Sequence, residues 1–318
     1  MHKNSERLVS LLRGEKTVFI QTHDFPDPDA IAASFGLHHL LKEKGIDSKI
    51  IYEGELQTNP VESMVKDLGI SMDKADEANV GAGDKIIIID GCPGNENVTV
   101  LQGKVIGVID HHQGEKPDDL PFVDIRTGYG SCSTIVYGYL QESRTRLTPQ
   151  VATALAVGIH VDTNSFRRRA HHKDVEAFSY LYNEIDQDLF ASILRNNINL
   201  KEFLTYEKTF SNIRIDKKFA FYYYPDSCTR NLLGMLSDFF LSIEEVEFVA
   251  LCAQSENKIV FSVRSENPKW NARFIIRKTL EGIGAGGGHK DMAGGVLKNR
   301  SLFNEEKIYQ GFRTQLGI

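Results

Sequence analysis

Cysteine and tryptophan are scarce in this chain, with four Cys and one Trp among 318 residues. Cys92, Cys132, Cys228 and Cys252 lie far apart with no Cys-x-x-Cys pair. That spacing excludes a disulfide scaffold and a thiolate zinc site, and fits buried thiols in a reducing cytoplasm. No apolar run approaches the roughly 18 residues of a membrane span, so no membrane partner is expected. Residues 1–14 have the periodicity of an amphipathic helix and lack the apolar segment of a signal peptide. Cationic residues are outnumbered, 37 Lys and Arg against 43 Asp and Glu. The deficit is local: residues 1–208 hold 22 cationic against 31 acidic residues, and residues 209–318 hold 15 against 12. An acidic first part is a poor surface for long duplex nucleic acid, because phosphate neutralisation dominates such binding. It makes sense if the carboxylates hold divalent cations while the mildly basic part receives an anionic substrate. Plain solvated surface charge is the competing reading.

Hydrophobic residues make up 41% and charged residues 25% of the chain, the balance of an ordinary globular protein. At this length two domains are expected, since single cores stop growing near this size. Apolar runs at residues 16–21, 49–52, 85–90, 105–110 and 122–125 alternate with helical patterns at 30–44, 60–68, 131–141 and 148–163. That alternation predicts βαβ units around a parallel sheet. Thr148-Pro149 opens the last of these helices as an N-cap followed by proline. Residues 174–208 stay helical and polar without Gly or Pro. Strands at 219–224, 247–253 and 259–263 and helices at 271–280 and 304–316 follow. The division read from this is a first α/β domain of residues 1–185, a helical linker of 186–208 and a smaller α/β domain of 209–318.

The chemistry collects where the predicted elements end. The run 105–110 closes on Asp110-His111-His112, delivering a carboxylate and two imidazoles to the edge of a sheet. Residues 16–21 lead into Thr22-His23-Asp24-Phe25-Pro26-Asp27-Pro28-Asp29, an extended loop stiffened by two prolines. Asp29 competes between ligand and N-cap of the helix after it. Asp90 ends four consecutive isoleucines and is desolvated unless a cation meets it, or else it opens a turn with Gly91. Asp162 sits at a helix C-terminus, where the macrodipole opposes its charge and a cation would compensate. Mixed His and carboxylate donors suit manganese-type ions rather than structural zinc. Two such ions clamp the attacking and leaving oxygens of a phosphate ester.

These residues fall into five ordered motifs that resemble the DHH phosphoesterase superfamily, in the subfamily with a DHHA1 second domain. The motifs are His23-Asp24-Phe25-Pro26-Asp27-Pro28-Asp29, Asp90, Asp110-His111-His112, Asp162-Thr163, and Gly286-Gly287-Gly288-His289 with Met292-Ala293-Gly294-Gly295. The resemblance implies a parallel-sheet DHH domain with helices on both faces, a DHHA1 domain beyond a helical linker, and an active-site cleft between them. It implies one ion held by His23, Asp27 and Asp90, and a second held by Asp29, Asp90, His111 and Asp162, with Asp90 bridging. Asp110 would orient His111, and His112 would face the substrate phosphate or leaving oxygen. The two ions would be manganese, with magnesium or cobalt as alternatives. In the second domain the glycine turn Gly286, Gly287 and Gly288, with His289 and Arg264, would hold the substrate phosphate. The implied activity is that of a nanoRNase on short oligoribonucleotides or a phosphatase of 3′-phosphoadenosine 5′-phosphate, in the cytoplasm, with a homodimer allowed. A cyclic di-AMP or pApA phosphodiesterase is the next alternative, ahead of a single-strand exonuclease, an exopolyphosphatase and a silent nucleotide sensor. Gly91-Cys92 after Asp90 and Ala293-Gly294-Gly295 depart from the commoner forms of these motifs.

Overall fold

The computed structural model describes residues 4–56, 59–95, 97–114, 117, 119–195, 200–255 and 257–318. The chain divides into two compact units, Met1–Asn197 and Ile198–Ile318. In the first unit the order is α1 (Asn4–Leu12), β1 (Val18–Gln21), α2 (Pro28–Glu43), β2 (Ser48–Tyr52), α3 (Asn59–Asp67), β3 (Met72–Lys74), β4 (Lys85–Ile89), β5 (Lys104–Asp110) and β6 (Phe122–Ile125). Four helices follow, α4 (Cys132–Glu142), α5 (Pro149–Asp162), α6 (His172–Leu181) and α7 (Gln187–Arg195). The six strands form one parallel sheet in the order β3-β2-β1-β4-β5-β6.

Ile86, Ile87, Ile88 and Ile89 of β4 are all fully buried, so both faces of the sheet are covered. Ile87 and Ile89 enter a core built with side chains from all seven helices. Ile86 and Ile88 enter a second cluster whose partners come from the sheet and from loops, among them Ala78, Val80, Cys92, Val98, Leu101 and Leu120. Helices therefore cover one face, and the expectation of helices on both faces is corrected. The connections from β3 to β4, β4 to β5 and β5 to β6 contain no helix among the described residues, and these loops supply the second cover. The strand order places a switch point between β1 and β4, whose C-terminal ends open the crevice where α/β sheets bind ligands.

The second unit holds α8 (Leu200–Asn212), β7 (Arg214–Asp216), β8 (Phe219–Ser227), α9 (Arg230–Leu241), β9 (Phe248–Ser255), β10 (Lys258–Ser265), α10 (Ala272–Thr279), β11 (Ala285–Gly288), β12 (Met292–Leu297) and α11 (Glu305–Leu316). Its sheet has the order β11-β12-β10-β9-β8-β7, with β8 and β9 parallel and the other neighbours antiparallel. Leu232, Leu233, Leu236 and Phe240 of α9 pack in one cluster with this sheet, and α10 and α11 pack in another. The expected linker contributes α7 to the first unit and α8 to the second, and its residues 196–199 lie outside the described residues.

Candidate metal centre

Asp27 is the N-cap of α2, its Oδ1 accepting the N–H groups of Asp29 and Ala30, each at 3.0 Å. Pro28 occupies the first helical position, where a missing N–H costs nothing. The capping role raised for Asp29 thus falls to Asp27. Asp29 lies inside the first turn of α2, and its carboxylate accepts the N–H of Cys132 at 2.6 Å and of Ser133 at 2.9 Å. These are the first amides of α4, whose N-cap is Ser131. A helix N-terminus is a natural seat for a carboxylate. Gly158 of α5 permits this approach, since a Cβ there would lie 2.9 Å from Asp29 Oδ1 and from Ala32 Cβ.

Asp90 follows β4 with φ of +60°, a left-handed conformation that costs on the order of 1 kcal/mol in a non-glycine residue. The residue is 2% exposed, and the surrounding structure holds it in this strained conformation at the strand tip. Gly91 leaves room for Val98, whose Cγ2 a Cβ would meet at 2.8 Å. His111 follows β5, and Asp162 is the last residue of α5.

These ends converge. His23 Nε2 lies 3.8 Å from Asp27 Oδ2 and 3.8 Å from Asp90 Oδ2. His111 Nε2 lies 3.1 Å from Asp162 Oδ2, 3.3 Å from Asp90 Oδ1 and 3.9 Å from Asp29 Oδ2. His112 Nδ1 lies 3.5 Å from Asp90 Oδ1. The trios His23–Asp27–Asp90 and Asp29–His111–Asp162 each place their ligand atoms within 4.8 Å of one another, and a third trio joins Asp90, His111 and His112. Asp90 therefore stands between two potential ion sites.

The test of fit is the state of the buried atoms. Asp90 Oδ1, His111 Nε2 and Asp162 Oδ2 are buried and make no hydrogen bond, although they approach within 3.1–3.3 Å. Leaving such groups unpaired is costly, and a cation satisfies all three at once. The electrostatics agree. Burial, with the charges of Asp90 and Asp162, raises the Asp29 carboxyl well above its usual range. Burial works against protonating His23, but Asp27 and Asp90 overcome it and push its pKa up to about 10. For His111 burial likewise opposes, and Asp162 and Asp90 raise it well above its usual value. Crowded carboxylates thus draw protons to a place that donor chemistry suits to divalent ions.

Asp110 departs from its expected role. Its Oδ1 accepts the backbone N–H groups of His111 and His112 at 2.8 and 3.1 Å and shares the His112 ring Nδ1 at 2.9 Å. The His111 ring instead places Nδ1 3.2 Å from the Tyr129 carbonyl. Asp110 orients His112, and Tyr129 orients His111. The reason is local: two residues on from a strand end, the His112 ring folds back over Asp110. Burial opposes ionisation of Asp110, but the His112 contact brings its pKa down to about 2. Cys92 Sγ donates to Asp110 Oδ2 at 3.3 Å, and burial beside that carboxylate pushes the thiol up to about 12.

In the second unit the glycine motif is a strand rather than a turn. β11 and β12 form the edge hairpin, pairing Gly286 with Gly295 and Gly287 with Gly294. α10 ends on Leu280 as its C-cap, so these glycines do not cap it. Cβ atoms on Gly286 and Gly295 would meet Ile276 at 3.0 Å and Leu280 at 2.7 Å, which explains those two by packing. Gly287 has nothing within 4 Å and Gly294 only the Phe261 carbonyl at 3.5 Å, so packing explains neither. Gly288 needs its missing Cβ, with φ of +126°. His289 follows, its N–H donating to the Met292 carbonyl at 2.6 Å. Arg264 differs from expectation. Its Nε and Nη2 face Asp238 at 2.7 and 3.3 Å, and Nη1 donates to Ser262 Oγ and the Val263 carbonyl. The two-pronged edge expected to grip a phosphate is engaged within the unit.

Residues 17–159 match the DHH family, N-terminal domain, and residues 216–312 match the DHHA1 domain. The chain therefore carries an N-terminal domain of the DHH family followed by a DHHA1 domain. An uncharacterised protein of Methanocaldococcus jannaschii is 29% identical over 87% of this chain, which spans 57% of that relative's length. The probable bifunctional oligoribonuclease and PAP phosphatase NrnA of Streptococcus mutans is 26% identical over 97% of this chain and 98% of its own. An exopolyphosphatase-related protein from Bacteroides fragilis has the same fold, with a TM-score of 0.79 at 18% identity over 99% of this chain and 95% of its own. No helix among the described residues is long and apolar enough to cross a membrane.

The backbone carbonyls of Asp24, 2.9 Å from His23 Nδ1, and of Tyr129 orient two imidazoles and carry no signature in a sequence. Ser131, the N-cap of α4, also starts the turn whose amides seat Asp29.

Proposed function

We propose that this chain is a two-metal phosphoesterase that hydrolyses short oligoribonucleotides and 3′-phosphoadenosine 5′-phosphate. The observation that carries the chemistry is the set of buried, unbonded atoms Asp90 Oδ1, His111 Nε2 and Asp162 Oδ2, which belong to three overlapping ligand trios. His23, Asp27 and Asp90 would hold one ion, and Asp29, Asp90, His111 and Asp162 the other, with manganese favoured by the mixed donors. Divalent ions at such a site supply charge stabilisation for the phosphoryl oxygens and a water acidic enough to act near neutral pH.

The chain's own contribution is placement. Asp110 fixes the His112 ring through Nδ1, and that ring, about one-third exposed, would address the substrate. Burial opposes protonation of His112, but Asp110 and Asp90 raise its pKa, so it is suited to donate a proton to a leaving oxygen. Asp90 is held strained at the strand tip, set before any ligand arrives. The uncovered backbone at Gly287 and Gly294 offers close approach to a terminal phosphate.

Support for the substrate class is the end-to-end likeness in length and sequence to the Streptococcus mutans protein. The test is a panel of ribonucleotide di- to pentamers, 3′-phosphoadenosine 5′-phosphate, pApA and cyclic di-AMP, assayed with Mn²⁺. Turnover of the short RNAs and the bisphosphate is expected. Preference for cyclic di-AMP over all of them would overturn the substrate, and phosphate release surviving Asp90→Ala would overturn the two-metal chemistry.

A further inference from the structure

We propose that Asp174 is a positioning residue for one of the two ion sites, setting Asp29 and His111 without touching either. The inference rests on the two-metal reading of the centre. Asp174 lies in the first turn of α6 and is fully buried. Among the described residues no Lys or Arg pairs with it. A buried carboxylate in that position needs hydrogen-bond donors to compensate its desolvation. Asp174 has three. Its Oδ2 accepts the N–H of His171 at 2.6 Å and of Gly130 at 2.8 Å, and its Oδ1 accepts the Thr134 hydroxyl at 2.5 Å.

Two of those donors bracket the segment that builds the site. Gly130 adjoins Tyr129, whose carbonyl faces His111 Nδ1 at 3.2 Å. Thr134 also meets the Oγ of the N-cap Ser131 at 2.9 Å. Between them, the amides of Cys132 and Ser133 hold the Asp29 carboxylate. Gly130 closes the arrangement from the third side. A Cβ there would lie 2.7 Å from Asp174 Oδ2 and 2.7 Å from Thr163 Cγ2, and Thr163 follows Asp162 directly. The Tyr129 ring also stacks on His171 at 5.1 Å, tying the same loop to the start of α6. One buried carboxylate therefore holds Gly130, next in the chain to the Tyr129 that faces His111, and Thr134, next to the Ser133 that holds Asp29, while Gly130 itself lies close against Thr163 beside Asp162. The other site does not pass through it: His23 is held by the Asp24 carbonyl, and Asp27 by the amides of α2.

Groups behind metal ligands typically change ion affinity by about 10- to 100-fold when removed. A residue that acts on one site should show that loss for one ion only. A residue that merely stabilises the fold would weaken both or neither. The experiment titrates the full chain with Mn²⁺ alone, by calorimetry and electron paramagnetic resonance, in the wild type, Asp174→Ala, Asp174→Asn and Val151→Ala. Val151 is buried at the far end of α5 from Asp162, so its truncation controls for lost stability. The wild type is expected to take up two ions with a coupled-pair spectrum. Asp174→Ala should weaken one ion by about 10- to 100-fold, leave the other, and give a single-ion spectrum at limiting Mn²⁺. Asp174→Asn keeps the shape and an acceptor for the two amides, and should fall between. Val151→Ala should lower the melting temperature and change neither affinity. Equal weakening of both ions in a folded Asp174→Ala, or no weakening, overturns the proposal. Should that variant not fold, Thr134→Val removes one of the three donors at constant shape. It must then shift the same single ion, and a shift of both or neither overturns the proposal. A wild type that binds no Mn²⁺ overturns the two-metal reading itself, and is seen before any variant is made.

Discussion

Asp27 and Asp29 stand two positions apart on the chain and end in opposite surroundings. The Asp27 side chain is 45% exposed and that of Asp29 is 1% exposed. Asp27 spends one oxygen capping α2 and points the other at His23, in a loop open to water. Asp29 is sealed against the amides of α4, facing His111 and Asp162. The first proposed ion site would join an exposed loop carboxylate to the buried His23 and Asp90, and the second would be made by helix and strand ends that meet in the interior. Asp90 belongs to both. A centre built this way has one site shaped before the ion arrives and one that solvent reaches directly.

The comparison breaks most completely at the shared residue. Asp90→Ala removes a ligand from both sites and should cut turnover by about 10³-fold or more, the scale of several kcal/mol of lost charge stabilisation. Mn²⁺ uptake should fall at both sites. Retention of two tight ions would show that Asp90 does not bridge.

Next come the residues that belong to one site each. Asp27→Asn keeps a good N-cap, so the melting temperature should hold while one ion is lost. Asp27→Ala should in addition destabilise the fold by about 1 kcal/mol, the usual cost of a missing cap. Asp162→Ala should remove the other ion. Either loss is expected to lower turnover by about 10²-fold, since one metal's share of the charge stabilisation is gone. If Asp27→Asn and Asp162→Ala abolish the same ion, the division into two sites is wrong.

How much of this was legible follows the kind of interaction involved. His23, Asp27, Asp29, Asp90, His111 and Asp162 were visible because each sits where an apolar pattern stops, and the sheet order then brings those stops together. The parallel sheet was legible from its isoleucine-rich runs, because burial on both faces removes alternation. What covers the second face was not, since loops rich in Val, Leu and Ala carry no period. The Tyr129 carbonyl was invisible because a backbone group has no sequence identity. Asp110 was assigned to the wrong ring because adjacency cannot say which of two neighbouring imidazoles folds back. Arg264 looked available until its partner Asp238 arrived from α9, a helix that sequence patterning had passed over.

The reassignment of Asp110 has its own test. Asp110→Asn should lower turnover by about 10- to 100-fold through the His112 ring while two Mn²⁺ ions still bind. His112→Gln should reproduce that result and add nothing to it in the double variant. Loss of the ion at His111 in Asp110→Asn would restore the original assignment.

Protons and ions compete for these groups, and the sign is fixed by the direction of each shift. His23 and His111 have raised pKa values, so without ions they hold protons around neutral pH, and the Asp29 carboxyl is shifted in the same direction. Asp27, Asp110 and Asp162 are lowered, and are already ionised there. Binding must displace protons from the first set. Mn²⁺ affinity should therefore rise with pH, by about tenfold per unit for each proton released, and weaken as pH falls. Calorimetry in buffers of different ionisation enthalpy counts those protons. A count of zero at neutral pH would contradict the raised values.

The smallest expected effect separates the two faces of the glycine hairpin. Gly286→Ala places a methyl against Ile276, 3.0 Å away, and should destabilise the second unit modestly. Gly287→Ala meets nothing within 4 Å, and its backbone lies outside the left-handed region that only glycine adopts easily. On stability alone it should be neutral or slightly stabilising, by about 0.5 kcal/mol through a less flexible unfolded chain. On function it should raise KM for a short oligoribonucleotide about fivefold at unchanged kcat, because a methyl there stands between the backbone and an approaching phosphate. Wild-type KM in Gly287→Ala would remove the hairpin from substrate binding and leave the ion centre as the whole of the recognised site.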